Sequence, residues 1–133
     1  MTDAVPTSTT TLYDALGGAE PLRRLTRRMY ELMATAAEAE AARAVHPPDL
    51  SGSERKFFEF MSGWLGGPPL FTDKHGPPML RRRHFVAKIG PSEIAAWLFC
   101  FETAMDETLA DPRLRDALRE PIRRLAHHMR NLE

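Results

Sequence analysis

Apolar positions along the chain recur at helical spacing and nowhere alternate strictly with polar ones. Leu22, Leu25, Met29, Leu32 and Met33 fall every three or four residues with arginines between them, which predicts a helix from Pro21 to about Ala36. Pro21 suits its first turn. Before it, Thr11 to Leu16 can form a short helix stopped by Gly17-Gly18. After it, Glu38 to Val45 predicts another short helix, ended by His46-Pro47-Pro48. Ser51 and Glu54 have capping-box spacing and predict a new start. The helix that follows carries Phe57, Phe58, Phe60, Met61, Trp64 and Leu65, too many for one stripe, so it should be buried on more than one side. Gly66-Gly67-Pro68-Pro69 ends it, and a long loop is expected as far as His75-Gly76-Pro77-Pro78. Met79 to Phe85 has room for a turn or two. Gly90-Pro91-Ser92-Glu93 then predicts a helix start with Ser92 as cap, and Ile94, Trp97, Leu98, Phe101, Met105 and Leu109 repeat behind it. Asp111-Pro112 opens a last helix with the face Leu114, Leu118, Ile122, Leu125 and Met129. The fold class is all-α.

Length and charge narrow the functional classes. A chain of 133 residues is one domain's worth, long enough to bury a core and a small cofactor. Residues 1–10 are polar and Thr/Ser-rich. They read as a flexible tail with no apolar stretch of a secretory leader, leaving 11–133 as the domain. Lys+Arg and Asp+Glu balance at 18 each, so no net field favours nucleic acid or an anionic membrane. No run of about 18 apolar residues predicts a membrane span. Cys100 is the single cysteine, which excludes an internal disulfide, argues against a thiolate zinc site and leaves no covalent haem-attachment motif; it reads as an inert buried thiol. The expectation is a cytoplasmic protein, monomeric or homodimeric.

Periodicity goes no further than a compact helical protein. Four strings go further: YDALGG at Tyr13–Gly18, WLGGPPLF at Trp64–Phe71, HGPPMLRRRH at His75–His84, and GPSEIAAWL at Gly90–Leu98. In this order and spacing, over residues 11 to 131, the chain resembles the group II truncated haemoglobins. That resemblance implies a two-over-two helical sandwich around one non-covalent haem b. It implies His84 as the proximal iron ligand, a role that neutral imidazole suits. On residue type alone, a histidine after Arg81, Arg82 and Arg83 would read as surface.

The resemblance also assigns the distal side. Tyr30 and Trp97 match the family's distal tyrosine and tryptophan; each has a polar hydrogen to donate to a bound O2 carrying partial negative charge. Without the motif, both would fit plain core. His46 falls where the family carries phenylalanine, tyrosine or histidine, and is expected to donate to the ligand, with direct ligation of iron as the less favoured role. Ser53 and Phe57 fall at the two ligand-facing positions of the distal helix. Phe60, Met79 and Leu80 are expected against the haem, and Arg83 to pair a propionate, with Lys88 or His75 as helpers. One departure stands out: most members have Pro-Phe after the proximal histidine, whereas this chain has Phe85-Val86-Ala87-Lys88-Ile89, which leaves the path of that loop open.

The function so implied is binding of O2, NO or CO for sensing, scavenging or redox detoxification. Several donors around one pocket retain O2 too tightly for bulk delivery. The enzymatic alternative is a weak haem peroxidase or NO dioxygenase served by an external electron donor, since a reductase domain does not fit this length. A cofactor-free helical binding module is the remaining reading that composition permits.

Overall fold

The computed structural model describes residues 10–79, 83–84 and 87–131. Seven α-helices lie in them: α1 (Leu12–Leu16), α2 (Ala19–Thr35), α3 (Glu40–Ala44), α4 (Ser51–Trp64), α5 (Leu70–His75), α6 (Pro91–Thr108) and α7 (Pro112–His128). A 3-10 turn, Ala37–Ala39, leads into α3. No strand occurs among the described residues. The flexible tail expected at residues 1–10 falls almost wholly outside them.

The predicted stripes are the faces that pack. Leu22, Leu25, Met29 and Met33 of α2 have no exposed surface, nor do Phe101, Ala104 and Met105 of α6. This α2–α6 contact is the most extensive in the molecule. Helix α4 packs on α2, and α7 on α6 through Leu118 and Ile122, so two helix pairs are stacked as expected. Pro121 sits inside α7, where it removes one backbone hydrogen bond; Ile122 beside it is fully buried.

Helix boundaries depart from the sequence reading in three places. The capping box at Ser51 does not form. Instead Asp49 accepts from both the Ser51 N–H (2.9 Å) and its hydroxyl (2.8 Å). Ser92 is not the cap of α6. Gly90 is, and Glu93 accepts from its N–H at 2.8 Å, behind Pro91 in the first turn. The long loop after Pro69 contains α5, whose six residues are too few to show a period. Asp111, by contrast, caps α7 as read, accepting from the Arg113 N–H at 2.9 Å.

The paired glycines of the two GG motifs have separate causes. Gly17 ends α1 in the left-handed region, φ 108°. Gly66 and Gly67 make room for α1: a Cβ on Gly67 would lie 2.5 Å from the ring carbons of Tyr13, and one on Gly66 2.8 Å from Thr11. The Tyr13 N–H donates to the Leu65 carbonyl at 2.9 Å across the same contact. Thus two strings far apart in sequence are halves of one joint. Gly67→Ala should destabilise the fold by about 1–3 kcal/mol, the usual cost of overpacking. Urea unfolding of Gly67→Ala and of Gly67→Ala/Tyr13→Ala checks this; the double variant should lose less than the sum of the two singles.

Candidate haem site

Between the helix pairs lies a cavity of about 530 Å³, within the range of small-molecule and cofactor sites. Phe57 organises the side nearest α2. Its ring meets Tyr30 (6.2 Å between centroids), Trp97 (5.6 Å, edge-on) and Phe101 (6.3 Å, edge-on), and Trp97 stacks on Phe101 at 5.8 Å. Each ring is thereby held by others from a different helix, so the polar ends of Tyr30 and Trp97 are aimed by packing. The Tyr30 ring also meets His46 at 6.1 Å, nearly perpendicular.

Tyr30 is 5% exposed, and none of the described residues accepts from its hydroxyl. A buried hydroxyl without a partner is uncommon and calls for an acceptor within reach. Burial, with Glu54 and Cys100 adding to it, raises the Tyr30 pKa far above the ordinary tyrosine value, so the phenol keeps its proton and remains a donor. His46 is different. Its Nδ1 lies 2.7 Å from the Ala42 carbonyl, which can only accept, so Nδ1 carries the hydrogen. Burial lowers its pKa below the ordinary histidine value, against the hydrogen bond to Ala42, which favours the charged ring. Neutral His46 therefore offers Nε2 as an acceptor.

The stripe Ser53, Lys56, Phe57 and Phe60 lines the cavity from α4. Lys56 was missed by the sequence reading, although it shares the i, i+3, i+4, i+7 face with the three residues that were named. Phe60 leads to Phe71 (6.4 Å), and Phe71 to the His75 ring (4.6 Å). Arg83 lies over Phe71 at 5.2 Å and donates from Nη2 to the carbonyls of His75 (2.9 Å) and Pro77 (3.1 Å). His84 lines the cavity next to it, with Ala87, Ile89, Ile94, Leu125 and Ala126 of α7, and Met129 just beyond that helix. Met79 does not join this lining; it is 50% exposed, with φ 41°. Leu80, Arg81 and Arg82 lie outside the described residues. Lys88 is exposed and outside the lining.

Below this wall Glu59 is buried, its side chain 4% exposed. It accepts from Lys74 and pairs with His75 Nε2 at 3.2 Å. These contacts tie α5, and with it Phe71, to α4.

A model of the bacterial-like globins matches residues 11–131. The group 2 truncated haemoglobin YjbI of Bacillus subtilis is 37% identical over 119 residues, 90% of this chain and 87% of that one. A group II 2-on-2 haemoglobin from Agrobacterium tumefaciens superposes with a TM-score of 0.91 at 58% identity, covering 93% of this chain and 96% of that one. The cold-adapted truncated haemoglobin of Pseudoalteromonas haloplanktis gives 0.89 at 40% identity, over 93% and 100%. The chain belongs to the group II truncated haemoglobins, among the bacterial-like globins. It is thus a haem-binding globin, of a family that takes small diatomic ligands such as O2. The cavity of this globin fits the group: aromatic walls for a flat macrocycle, a histidine in the lining, cations at Lys56 and Arg83, and an unpartnered hydroxyl. No helix among its described residues is long and apolar enough to cross a membrane.

The Glu59 contacts carry a pH prediction. Hydrogen bonding from Lys74, and then from His75, lowers the Glu59 pKa below the ordinary carboxylate value despite burial. A depressed folded-state pKa contributes stability that is present above the unfolded value and is lost as pH falls through the folded one. Glu59→Gln should cost about 1.5–3 kcal/mol at neutral pH, the worth of a hydrogen bond to a charged group. Thermal unfolding of wild type and Glu59→Gln from pH 7 down to pH 3 should show the gap narrowing with acid. A gap constant with pH would assign the loss to packing.

Proposed function

We propose that this globin holds haem b through His84 and retains O2 or NO tightly, for sensing, scavenging or redox detoxification rather than bulk transport. The observation that carries this is the buried Tyr30 hydroxyl, protonated and without an acceptor among the described residues, in a cavity that it shares with Trp97 and His84. Haem iron supplies the ligand binding and one-electron chemistry; the protein supplies position and polarity. Tyr30 and the Trp97 indole N–H donate to a ligand that gains negative charge, and such charge-assisted bonds are the stronger kind.

Nε2 of His46 accepts, so the donor role expected from sequence passes to Tyr30 and Trp97. His46 meets the Tyr30 ring edge-on and helps to fix its position. Lys56 and Arg83 are the cations placed to pair the propionates. Phe60 and Phe71 bound the macrocycle, and Ser53 leaves space on the ligand side. Redox turnover, as an NO dioxygenase or a weak peroxidase, draws electrons from an external donor. The oxygen-avid truncated haemoglobin of Bacillus subtilis, 36% identical with a TM-score of 0.84 over 92% of this chain and all of that one, supports tight retention.

Stopped-flow O2 dissociation tests the retention reading. Tyr30→Phe and Trp97→Phe should each release O2 about ten- to a hundredfold faster, the equivalent of one charge-assisted hydrogen bond; unchanged rates in both would remove its basis. A pH titration of the ferric spectrum tests His46. Its transition should lie on the acid side of the ordinary histidine value, in keeping with the lowered pKa, and should vanish in His46→Phe. Persistence in that variant would assign the titration to another group.

A further inference from the structure

Ala87 and Ile89, just after His84, are held by a residue far along the chain. Residues 85–88 read Phe-Val-Ala-Lys, with no proline to restrict φ and no Asn, Asp or Ser to make a local turn. The local backbone bonds among the described residues are those of single turns: the Arg83 N–H to the Met79 carbonyl and the Ala87 N–H to the His84 carbonyl, each 3.0 Å.

Restraint comes from the other end of the chain. The Asn131 backbone N–H donates to the Ile89 carbonyl at 2.8 Å, and its Oδ1 accepts from the Ile89 N–H at 2.8 Å. Its Nδ2 donates to the Ala87 carbonyl at 2.9 Å and reaches the His84 carbonyl at 3.5 Å, a longer contact. One residue thus pairs both backbone groups of Ile89 and also engages the turn that begins at His84. Ile89 is buried, and buried backbone groups are rarely left unpaired. It packs with Ile94 and Ala126 in a small core of its own, with Ala87, Trp97 and Met129 around it. Ala87, Ile89, Ala126 and Met129 are also cavity wall beside His84. The amide of Asn131 and this apolar cluster therefore hold the same few residues, one by their backbone and the other by their side chains.

We propose that Asn131 is a positioning residue for His84: by tying the His84 and Ala87 carbonyls and both backbone groups of Ile89 to the stretch that follows α7, it fixes the orientation of the imidazole. The proposal rests on the assignment of His84 as iron ligand.

The test uses the haem-loaded globin and its variants Asn131→Ala, Asn131→Asp and His84→Ala. The readouts are the ferrous Fe–His stretching band by resonance Raman, haem transfer from the ferric protein to excess apomyoglobin, and amide exchange over residues 87–92. In Asn131→Ala the band should shift or broaden, and exchange should rise. Haem transfer should quicken by about three- to tenfold, the equivalent of one or two ordinary hydrogen bonds. Asn131→Asp keeps an oxygen for the Ile89 N–H and loses the donor to Ala87 and His84, so it should perturb the band while leaving the Ile89 amide protected. A wild-type band in Asn131→Ala overturns the proposal, even with faster haem transfer, since Asn131 would then be merely structural. His84→Ala separates the two readings. A band lost there, and restored in part by imidazole, but unchanged in Asn131→Ala overturns only the role of Asn131. A band that survives in His84→Ala overturns both.

Discussion

Leu22, Leu25, Met29 and Met33 on one helix and Phe101, Ala104 and Met105 on another give up all contact with water against each other, and the remainder of the molecule hangs from that seam. Each fully buried Leu, Met or Phe contributes about 1.5–3 kcal/mol relative to exposure. Beside this seam lies the cavity of about 530 Å³. Tyr30 and Trp97 sit where the seam meets the cavity. Their neighbours on α2 and α6 are core, so their backbones are fixed while their polar ends face the open side.

That arrangement puts a buried hydroxyl in the wall of a largely aromatic cavity. A buried donor left without a partner costs about 1–3 kcal/mol, and among the described residues none accepts from the Tyr30 hydroxyl. The same burial keeps the phenol protonated and His46 neutral. One cause, desolvation, therefore separates the two neighbours into a donor and an acceptor.

The opposite wall is built on another plan. Around His84 the holding groups are backbone carbonyls and the side chains that reach them: Arg83 on His75 and Pro77, Asn131 on Ala87 and His84. Glu59 performs the corresponding task one layer out, fastening α5 under Phe71 through Lys74 and His75. Among the described residues between α5 and α6, side chains that reach backbone groups thus supply part of the order.

Local pattern by itself determined the all-α class, the core stripes of α2, α6 and α7, and the Asp111 cap, because each depends on residues within a turn or two of one another. Linked strings resembling a known family marked Tyr30, His46, Phe57, His84 and Trp97, and all five line one cavity. Tertiary structure alone decided the rest. Whether Leu125 and Met129 face core or cavity cannot be told from an apolar stripe, since both destinations select the same residues. Helix α5 was hidden by its six residues and two leading prolines, and Asp49 displaced the expected Ser51 box because competing caps differ only in final geometry. His46 changed from donor to acceptor through one carbonyl, that of Ala42. Asn131 met Ile89 across 42 positions. Such contacts are set by how whole helices pack, and no window of sequence contains both partners.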